Sequence, residues 1–274
     1  MTFSRFRRFA LAGAALSTIL IGVPVAAQGD LLIAPTRVII SQGGSSEVIL
    51  SNIGVEPATY RISVELRRMG EDGDFTAVSE AEATPAELAA LQMVTYAPRR
   101  ISLLPEQPQA VRISIRPPAG LPDGEYRVHL NFRAVPPALK PEASSDPAAG
   151  VSIKLTPVYG ITIPVFVRRG RLEASATLAN AHLVTEPKGS YVELDMTRSG
   201  QRSVYGELIG KSSRGETLFN LRGIAVYAEI THRKAQIPLS AEQLIKLKGP
   251  VKIEYRELAE NGGGLIAETS ATFP

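Results

Sequence analysis

Residues 151–168 read VSIKLTPVYGITIPVFVR, with apolar side chains at alternate positions over most of the stretch. This alternation predicts a β-strand, which would be about three times the usual length. Pro157 and Pro164 cannot donate hydrogen bonds to a neighbouring strand, so part of the strand is expected at a sheet edge. Natural proteins normally shield a long apolar edge, and two interpretations stay open. Either the strand pairs with another protein, or it is a long bent strand that passes from one domain to the next.

The remaining sequence has the pattern of short strands separated by turns. Residues 126–133 alternate apolar with charged or polar side chains, as a half-buried strand does. Residues 31–40 and 94–103 are predicted to be further strands. Short helical segments are expected only after Thr84 and over residues 241–247.

This pattern predicts an all-β fold made of two immunoglobulin-like β-sandwich domains. The first domain is expected over residues 28–169 and the second, with shorter strands, over residues 170–274.

The N-terminus has the layout of a secretory signal peptide. Three arginines within the first eight residues precede an apolar run over residues 9–25 and the small residues Val-Ala-Ala. A signal peptide over residues 1–27 is predicted, with cleavage between Ala27 and Gln28. The apolar run is short and close to the cleavage motif, so no stable membrane insertion is expected.

Removal of the signal peptide changes the charge balance. The chain has 30 Lys and Arg against 27 Asp and Glu, and the three arginines of the signal peptide account for the difference. The mature chain is therefore formally neutral, and the sequence predicts no nucleic-acid partner. The chain has no cysteine, so an exported fold must depend on core burial rather than on disulfides.

The sequence contains no pattern of catalytic or metal-ligating residues. His129, His182 and His232 lie far apart without ligand-like neighbours, whereas metal sites need clustered ligands. His129 falls on the polar side of its strand and is expected to face solvent. No Gly-x-Ser-x-Gly motif is present, and no pattern calls for a triad assembled only by folding. We therefore expect no enzyme activity, no metal, no cofactor and no small-molecule substrate.

Four motifs of the first domain carry a resemblance to a known family. They are APTRV at 34–38, YAPRR at 96–100, NFRAVPP at 131–137 and YGITIPV at 159–165, the last followed by Arg168. Together they resemble the periplasmic chaperones of chaperone–usher pilus assembly, the PapD-like family, and within it the branch that serves archaic or spore-coat-type fimbriae. The resemblance covers residues 31–168, and the second domain matches only in length and strand-rich character.

The resemblance implies two immunoglobulin-like domains in an L or boomerang arrangement with a cleft between them. It implies an ATP-independent periplasmic chaperone that binds and caps pilin or fimbrial subunits by donor-strand complementation and delivers them to an outer-membrane usher. The apolar positions Val151, Ile153, Leu155 and Tyr159 would then be the residues donated to the subunit.

The resemblance also assigns roles to charged residues. Arg37 matches the cleft arginine that anchors the carboxylate at the end of the subunit, a role that suits the planar guanidinium group. Glu125 and Arg168 match a structural ion pair that helps to fix the domain arrangement. A lysine that often supplies a second cationic anchor is missing, because Pro164 stands at its expected position.

A structural pilus subunit or surface adhesin with immunoglobulin-like domains is the alternative function. Such a subunit should lack its own last strand and carry an N-terminal donor extension. This chain has a long last strand in its first domain, and only residues 28–30 separate the expected cleavage site from the first strand.

The signal peptide gives the first testable prediction. Protein exported from its host should begin at Gln28, and it should be recovered in the soluble periplasmic fraction. Intact-mass spectrometry of the exported protein measures the N-terminus. Retention of residues 1–27, or recovery with membranes, would contradict the prediction.

Overall fold

The computed structural model describes residues 31–41, 44–136 and 158–274. Outside these ranges lie the predicted cleavage site and three of the predicted donor residues: Ala27, Gln28, Val151, Ile153 and Leu155.

The first ten strands and a nine-residue helix occupy the chain up to Arg169. They are β1 (Leu31–Ala34), β2 (Val38–Ser41), β3 (Ser45–Asn52), β4 (Ala58–Met69), β5 (Phe75–Val78), α1 (Pro85–Met93), β6 (Val94–Ala97), β7 (Arg100–Leu103), β8 (Gln109–Ile115), β9 (Gly124–Val135) and β10 (Gly160–Arg169).

These strands form two sheets that pack face to face. One sheet has the order β1-β3-β8-β6, and the other has the order β2-β10-β9-β4-β5, with β7 also paired to β4. Two packed sheets with these strand orders form an immunoglobulin-like sandwich. The core contains fully buried side chains from both sheets, each worth about 1.5–3 kcal/mol when removed from water. They include Val48, Leu50, Val111, Ile113, Val128, Leu130, Phe132 and Val165.

The last seven strands and a six-residue helix occupy the rest of the chain. They are β11 (Ala174–Glu186), β12 (Gly189–Gly200), β13 (Val204–Ser212), β14 (Thr217–Val226), β15 (His232–Leu239), α2 (Ala241–Lys246), β16 (Gly249–Arg256) and β17 (Leu265–Phe273), with a short 3-10 turn at Ala259–Asn261. Neither described α-helix has the length and apolar character needed to cross a membrane.

These later strands form a second sandwich, with sheets β11-β12-β15 and β14-β13-β16-β17. The predicted all-β fold with two immunoglobulin-like sandwiches is therefore confirmed. The expectation of shorter strands in the second sandwich is wrong, because β11 and β12 are 13 and 12 residues long. The exposed face of β11 carries small and polar residues, which hides its alternation in the sequence.

Two predicted strands are each divided between the two sheets of the first sandwich. Residues 31–40 form β1 and β2, and residues 94–103 form β6 and β7. Each break includes a proline, Pro35 or Pro98, which cannot donate a hydrogen bond to a strand ladder. The two short pieces let one apolar run supply core side chains to both sheets.

Among the described strands, β10 has a free edge over part of its length, at the segment that contains Pro164. It pairs with β9 along its whole length, but β2 covers its other side only over Val165–Arg168. Among the described residues, Gly160–Pro164 therefore have a strand neighbour on one side only. From Ile163 onward, the alternate side chains of β10 are buried in the first core.

His129 is buried, with only 3% of its surface exposed, so the expectation that it faces solvent is wrong. It lies on β9 on the face away from the first core, but the ring of Phe75 packs edge-on against it at 5.5 Å. The sequence pattern marks this face as polar and does not show that β5 covers it. Burial, together with the nearby Arg127 and Arg67, lowers the pKa of His129 to about 3.

The burial of His129 predicts an acid-sensitive contribution to stability. The unfolded chain takes up this proton near pH 6.5 and the folded chain only near pH 3. The contribution is therefore fully present above about pH 6.5 and falls as the pH decreases toward 3. His129→Gln should reduce the loss of unfolding free energy between pH 7 and pH 4 by a few kcal/mol.

Urea unfolding at both pH values measures this difference. His182→Gln is the matched control, because it makes the same substitution at a histidine whose side chain is 56% exposed. If His129→Gln keeps the pH dependence of the wild type, or changes it no more than His182→Gln does, the account of His129 is wrong.

Candidate functional site

Contacts between the two sandwiches define a cleft. The backbone N–H of Met69 donates to Glu229 at 2.9 Å, and Arg127 forms an ion pair with the same carboxylate. In the turn after β4, the carbonyl of Glu71 accepts from the backbone N–H of Lys234 on β15 at 2.7 Å. These bonds hold the end of β4 against the second sandwich.

A small apolar cluster fills the junction behind these contacts. Phe166 of β10 is fully buried and meets the ring of Tyr227 edge-on, at 5.3 Å between centroids. Met69 and Ala225 complete the buried cluster. Apolar residues of both sandwiches thus pack together in a small cluster at the junction.

Glu125 and Arg168 lie at this junction and form an ion pair. The Nε of Arg168 donates to Glu125 Oε2 at 2.9 Å, and the Glu125 side chain is only 2% exposed. The other carboxylate oxygen accepts from the backbone N–H of Ser203 at 2.9 Å. One buried carboxylate therefore connects β10 of the first sandwich to the start of β13 in the second.

Arg37 lies in the short segment between β1 and β2, where the chain passes from one sheet to the other. Its guanidinium carbon lies 3.8 Å from the ring centroid of Phe166 and 4.4 Å from that of Tyr205. Its two terminal nitrogens donate to the hydroxyls of Tyr227 at 3.2 Å and Ser203 at 3.3 Å. The first sandwich supplies this cation, and three residues of the second surround it.

Arg37 forms no direct ion pair in the described part of the chain, and the Glu125 carboxylate acts on it only from beyond ion-pair distance. No Asp or Glu described here lies within ion-pair distance of it, and its Nε is buried without a hydrogen-bond partner. Burial lowers the pKa of Arg37 below its usual value, although a guanidinium stays charged in proteins. A half-buried cation without a direct ion pair is incompletely compensated, so this position favours the arrival of a negatively charged group.

The guanidinium of Arg37 borders a cavity of about 700 Å³ between the sandwiches. The walls contain three arginines and one carboxylate, together with exposed apolar side chains. The main charged and apolar wall residues are Arg37, Arg168, Arg202, Glu257, Ile39 and Leu265. A cavity with this charge excess suits a ligand with a carboxylate or another anionic end.

The remaining described donor residue, Tyr159, lies at the other end of β10. The residue is 52% exposed, and its carbonyl accepts from the backbone N–H of Ala134 at 2.9 Å. Val158 beside it is 41% exposed. The structure thus brings Arg37, Glu125 and Arg168 together at one end of β10 and leaves Tyr159 at its exposed beginning.

The aromatic and hydroxyl residues around Arg37 were not predicted from the sequence. Ser203 and Tyr227 are 166 and 190 residues away from Arg37 in the chain, so no local spacing connects them to it. Tyr205 likewise belongs to the second sandwich, which the motif resemblance does not cover. Within the described residues, no group of three or more His, Asp or Glu side chains could hold a metal ion.

Comparisons with known proteins give structural similarities only, because neither a family model nor a curated protein matches the chain. The chain is similar to the YadV chaperone, with 17% identity, a TM-score of 0.46, and coverage of 89% of this chain and 99% of that one. It is similar to the E. coli chaperone DraB, with 17% identity, a TM-score of 0.45, and coverage of 89% and 96%.

A third similar structure is the CsuC–CsuE chaperone–tip adhesion subunit pre-assembly complex from archaic chaperone–usher Csu pili of Acinetobacter baumannii. The identity is 16%, the TM-score 0.46, and the coverage 89% of this chain and 97% of that one. Because the identities are near 17% and the TM-scores below 0.5, these similarities carry no functional assignment by themselves.

Glu125 gives a prediction about the junction. Glu125→Ala leaves Arg168 without its partner in a mostly buried place and removes the acceptor for Ser203 N–H. Breaking a buried pair costs about 3–5 kcal/mol, so the unfolding free energy should fall by roughly this amount in urea titrations.

Glu47→Ala is the matched control for this substitution. Glu47 pairs with Arg112 on the surface, where the side chains are 47% and 71% exposed. Exposed pairs contribute about 0–1 kcal/mol, so this variant should unfold almost as the wild type does. Equal destabilisation by the two substitutions would contradict the role of Glu125 at the junction.

Proposed function

We propose that the protein is an ATP-independent periplasmic chaperone that binds and caps pilin or fimbrial subunits by donating a β-strand, and that delivers them to an outer-membrane usher. The observation that carries the proposal is the position of Arg37, a half-buried cation without a direct ion pair at the end of the free edge of β10. The mature protein would comprise an N-terminal domain over residues 28–169 and a C-terminal domain over residues 170–274.

The free edge of β10 supports pairing with another chain. β2 covers this edge only from Val165 onward, and Arg37 is the residue immediately before β2. A partner strand that paired with β10 upstream of Val165 would be collinear with β2. The end of that strand nearest to β2 would therefore reach Arg37.

The charge of Arg37 favours one direction for the partner strand. A strand parallel to β10 would bring its C-terminal carboxylate to the guanidinium, whereas an antiparallel strand would bring an N-terminal ammonium group there. A carboxylate can accept two parallel hydrogen bonds from a guanidinium group, and it would give Arg37 a direct ion pair. The geometry therefore favours a parallel partner strand that ends at Arg37.

The alternating residues before β10 would supply the side chains that the partner lacks. Successive side chains of a strand point to opposite faces, so Val151, Ile153, Leu155 and Tyr159 share one face if the strand extends upstream. The same alternate positions of β10 are buried in the first core from Ile163 onward. In this proposal, the exposed beginning of the strand completes the core of the subunit instead.

No energy source is required for this activity. Donating a strand pairs the exposed backbone edge of the subunit and buries apolar side chains in its groove, and both effects oppose aggregation. A subunit or adhesin function is less well supported, because each sandwich here contains its own last strand, β10 or β17.

The proposal predicts that the apolar face upstream of β10 binds the subunit without contributing to the stability of the free protein. The double variant Ile153→Asn, Leu155→Asn should keep the circular dichroism spectrum and unfolding temperature of the wild type. It should lose the subunit that co-purifies with wild-type protein from the periplasm. Full burial of each side chain in a partner is worth about 1.5–3 kcal/mol, so losing both should abolish capture.

The matched control is Ser152→Asn, Thr156→Asn, which places the same new side chains on the opposite face of the strand. This control should retain the subunit, as measured by mass spectrometry of the purified complex. Unfolding of the Ile153 and Leu155 variant would mean that these residues belong to the protein's own core. Normal capture by that variant would mean that the donor surface lies elsewhere.

A further inference from the structure

Arg202 of the second sandwich borders the same cavity as Arg37. It lies in the turn between β12 and β13, and hydrogen bonds fix this turn in place. The backbone N–H of Gln201 donates to the carbonyl of Glu173 at 2.8 Å, and Arg198 donates to the carbonyl of Arg202 at 3.1 Å. The backbone that carries the Arg202 side chain is therefore held at the wall of the cavity.

The two arginines are brought together by Ser203. Arg37 donates to the hydroxyl of Ser203 at 3.3 Å, and Arg202 Nη1 donates to the carbonyl of the same residue at 3.5 Å. Ser203 is itself almost completely buried, with 1% of its surface exposed. One cation from each sandwich therefore lies against a single fixed residue at the cavity wall.

Arg202 has charge available for a ligand. Its bond to the Ser203 carbonyl is long, and no described Asp or Glu lies within ion-pair distance of Arg202. Arg168, the third arginine of the wall, is already paired with Glu125. Glu257 is the acidic side chain of the wall, so the lining of the cavity contains two guanidinium groups without a direct ion pair and one carboxylate.

We infer that Arg37 and Arg202 together form a two-domain clamp for the C-terminal carboxylate of the bound subunit. The inference rests on the proposed function and deepens it. The second cation comes from the second domain, whereas the residue at position 164 of β10 is a proline and has no charge. Because the clamp takes one guanidinium from each domain, binding of the carboxylate also stabilises the relative position of the domains.

A peptide titration tests the clamp without requiring the natural subunit. The probe is a short synthetic peptide of alternating valine and threonine, acetylated at its N-terminus, prepared with a free C-terminal carboxylate and as the C-terminal amide. Binding to the mature chain is followed through the side-chain Nε–H signals of the arginines in NMR spectra. The free acid should bind at least about tenfold more tightly than the amide, because hydrogen bonds to charged groups are worth more than neutral ones.

Arg202→Ala should weaken binding of the free acid by at least about tenfold and leave binding of the amide unchanged. Arg202→Lys should restore part of the preference for the acid, since it keeps the charge but loses the planar fork. Arg214→Ala is the control, because Arg214 is an exposed arginine of the same domain that does not border the cavity.

The result for Arg37→Ala separates the inference from the proposed function. If Arg37→Ala removes the preference for the acid and Arg202→Ala does not, the anchor of the proposed function stands and the clamp is wrong. If neither substitution affects the preference, or if the wild type does not prefer the acid, both the anchor and the clamp are wrong. Unfolding temperatures of all variants show whether a loss of binding reflects a loss of structure.

Discussion

The arrangement of the cleft depends on the contacts that the guanidinium group of Arg37 makes with both sandwiches. The guanidinium lies between the rings of Phe166 and Tyr205 and donates to two hydroxyls, so aromatic faces and neutral acceptors replace part of its hydration. The cation–π contacts are worth about 0.5–2 kcal/mol each. The fold thus holds a cation in place without neutralising it, which is the condition for binding an anion from another molecule.

The other charges at the junction are arranged differently. Arg168 is paired with Glu125, and Arg127 is paired with Glu229, so these cations connect the sandwiches instead of facing a ligand. Together with the apolar contact of Phe166 and Tyr227, these ion pairs connect the two sandwiches around Arg37. The free edge of β10, Gly160–Pro164, ends next to these residues. The same contacts therefore hold both Arg37 and the end of this edge in position.

The sequence predicted the fold class and the edge of β10 because alternation and proline positions are local properties of the chain. It did not predict the division of residues 31–40 into two strands, since the apolar pattern continues on both sides of Pro35. The burial of His129 depends on Phe75, which is distant in the chain. At the cleft, motif resemblance identified Arg37, but Tyr205 and Tyr227 belong to a domain without recognisable motifs. Arg202, the second arginine of the inferred clamp, was identified only from its contact with Ser203 in the structure.

Hydrogen exchange tests strand donation most directly. Amide exchange is measured by mass spectrometry on the mature chain alone and on the complex with the subunit that co-purifies with it. Donation predicts that amides over residues 151–159, upstream of the segment that β9 already pairs, exchange much more slowly in the complex, because they become paired with the backbone of the subunit. If exchange over these residues is the same in both samples while protection appears on another surface, the protein does not bind its partner through this strand.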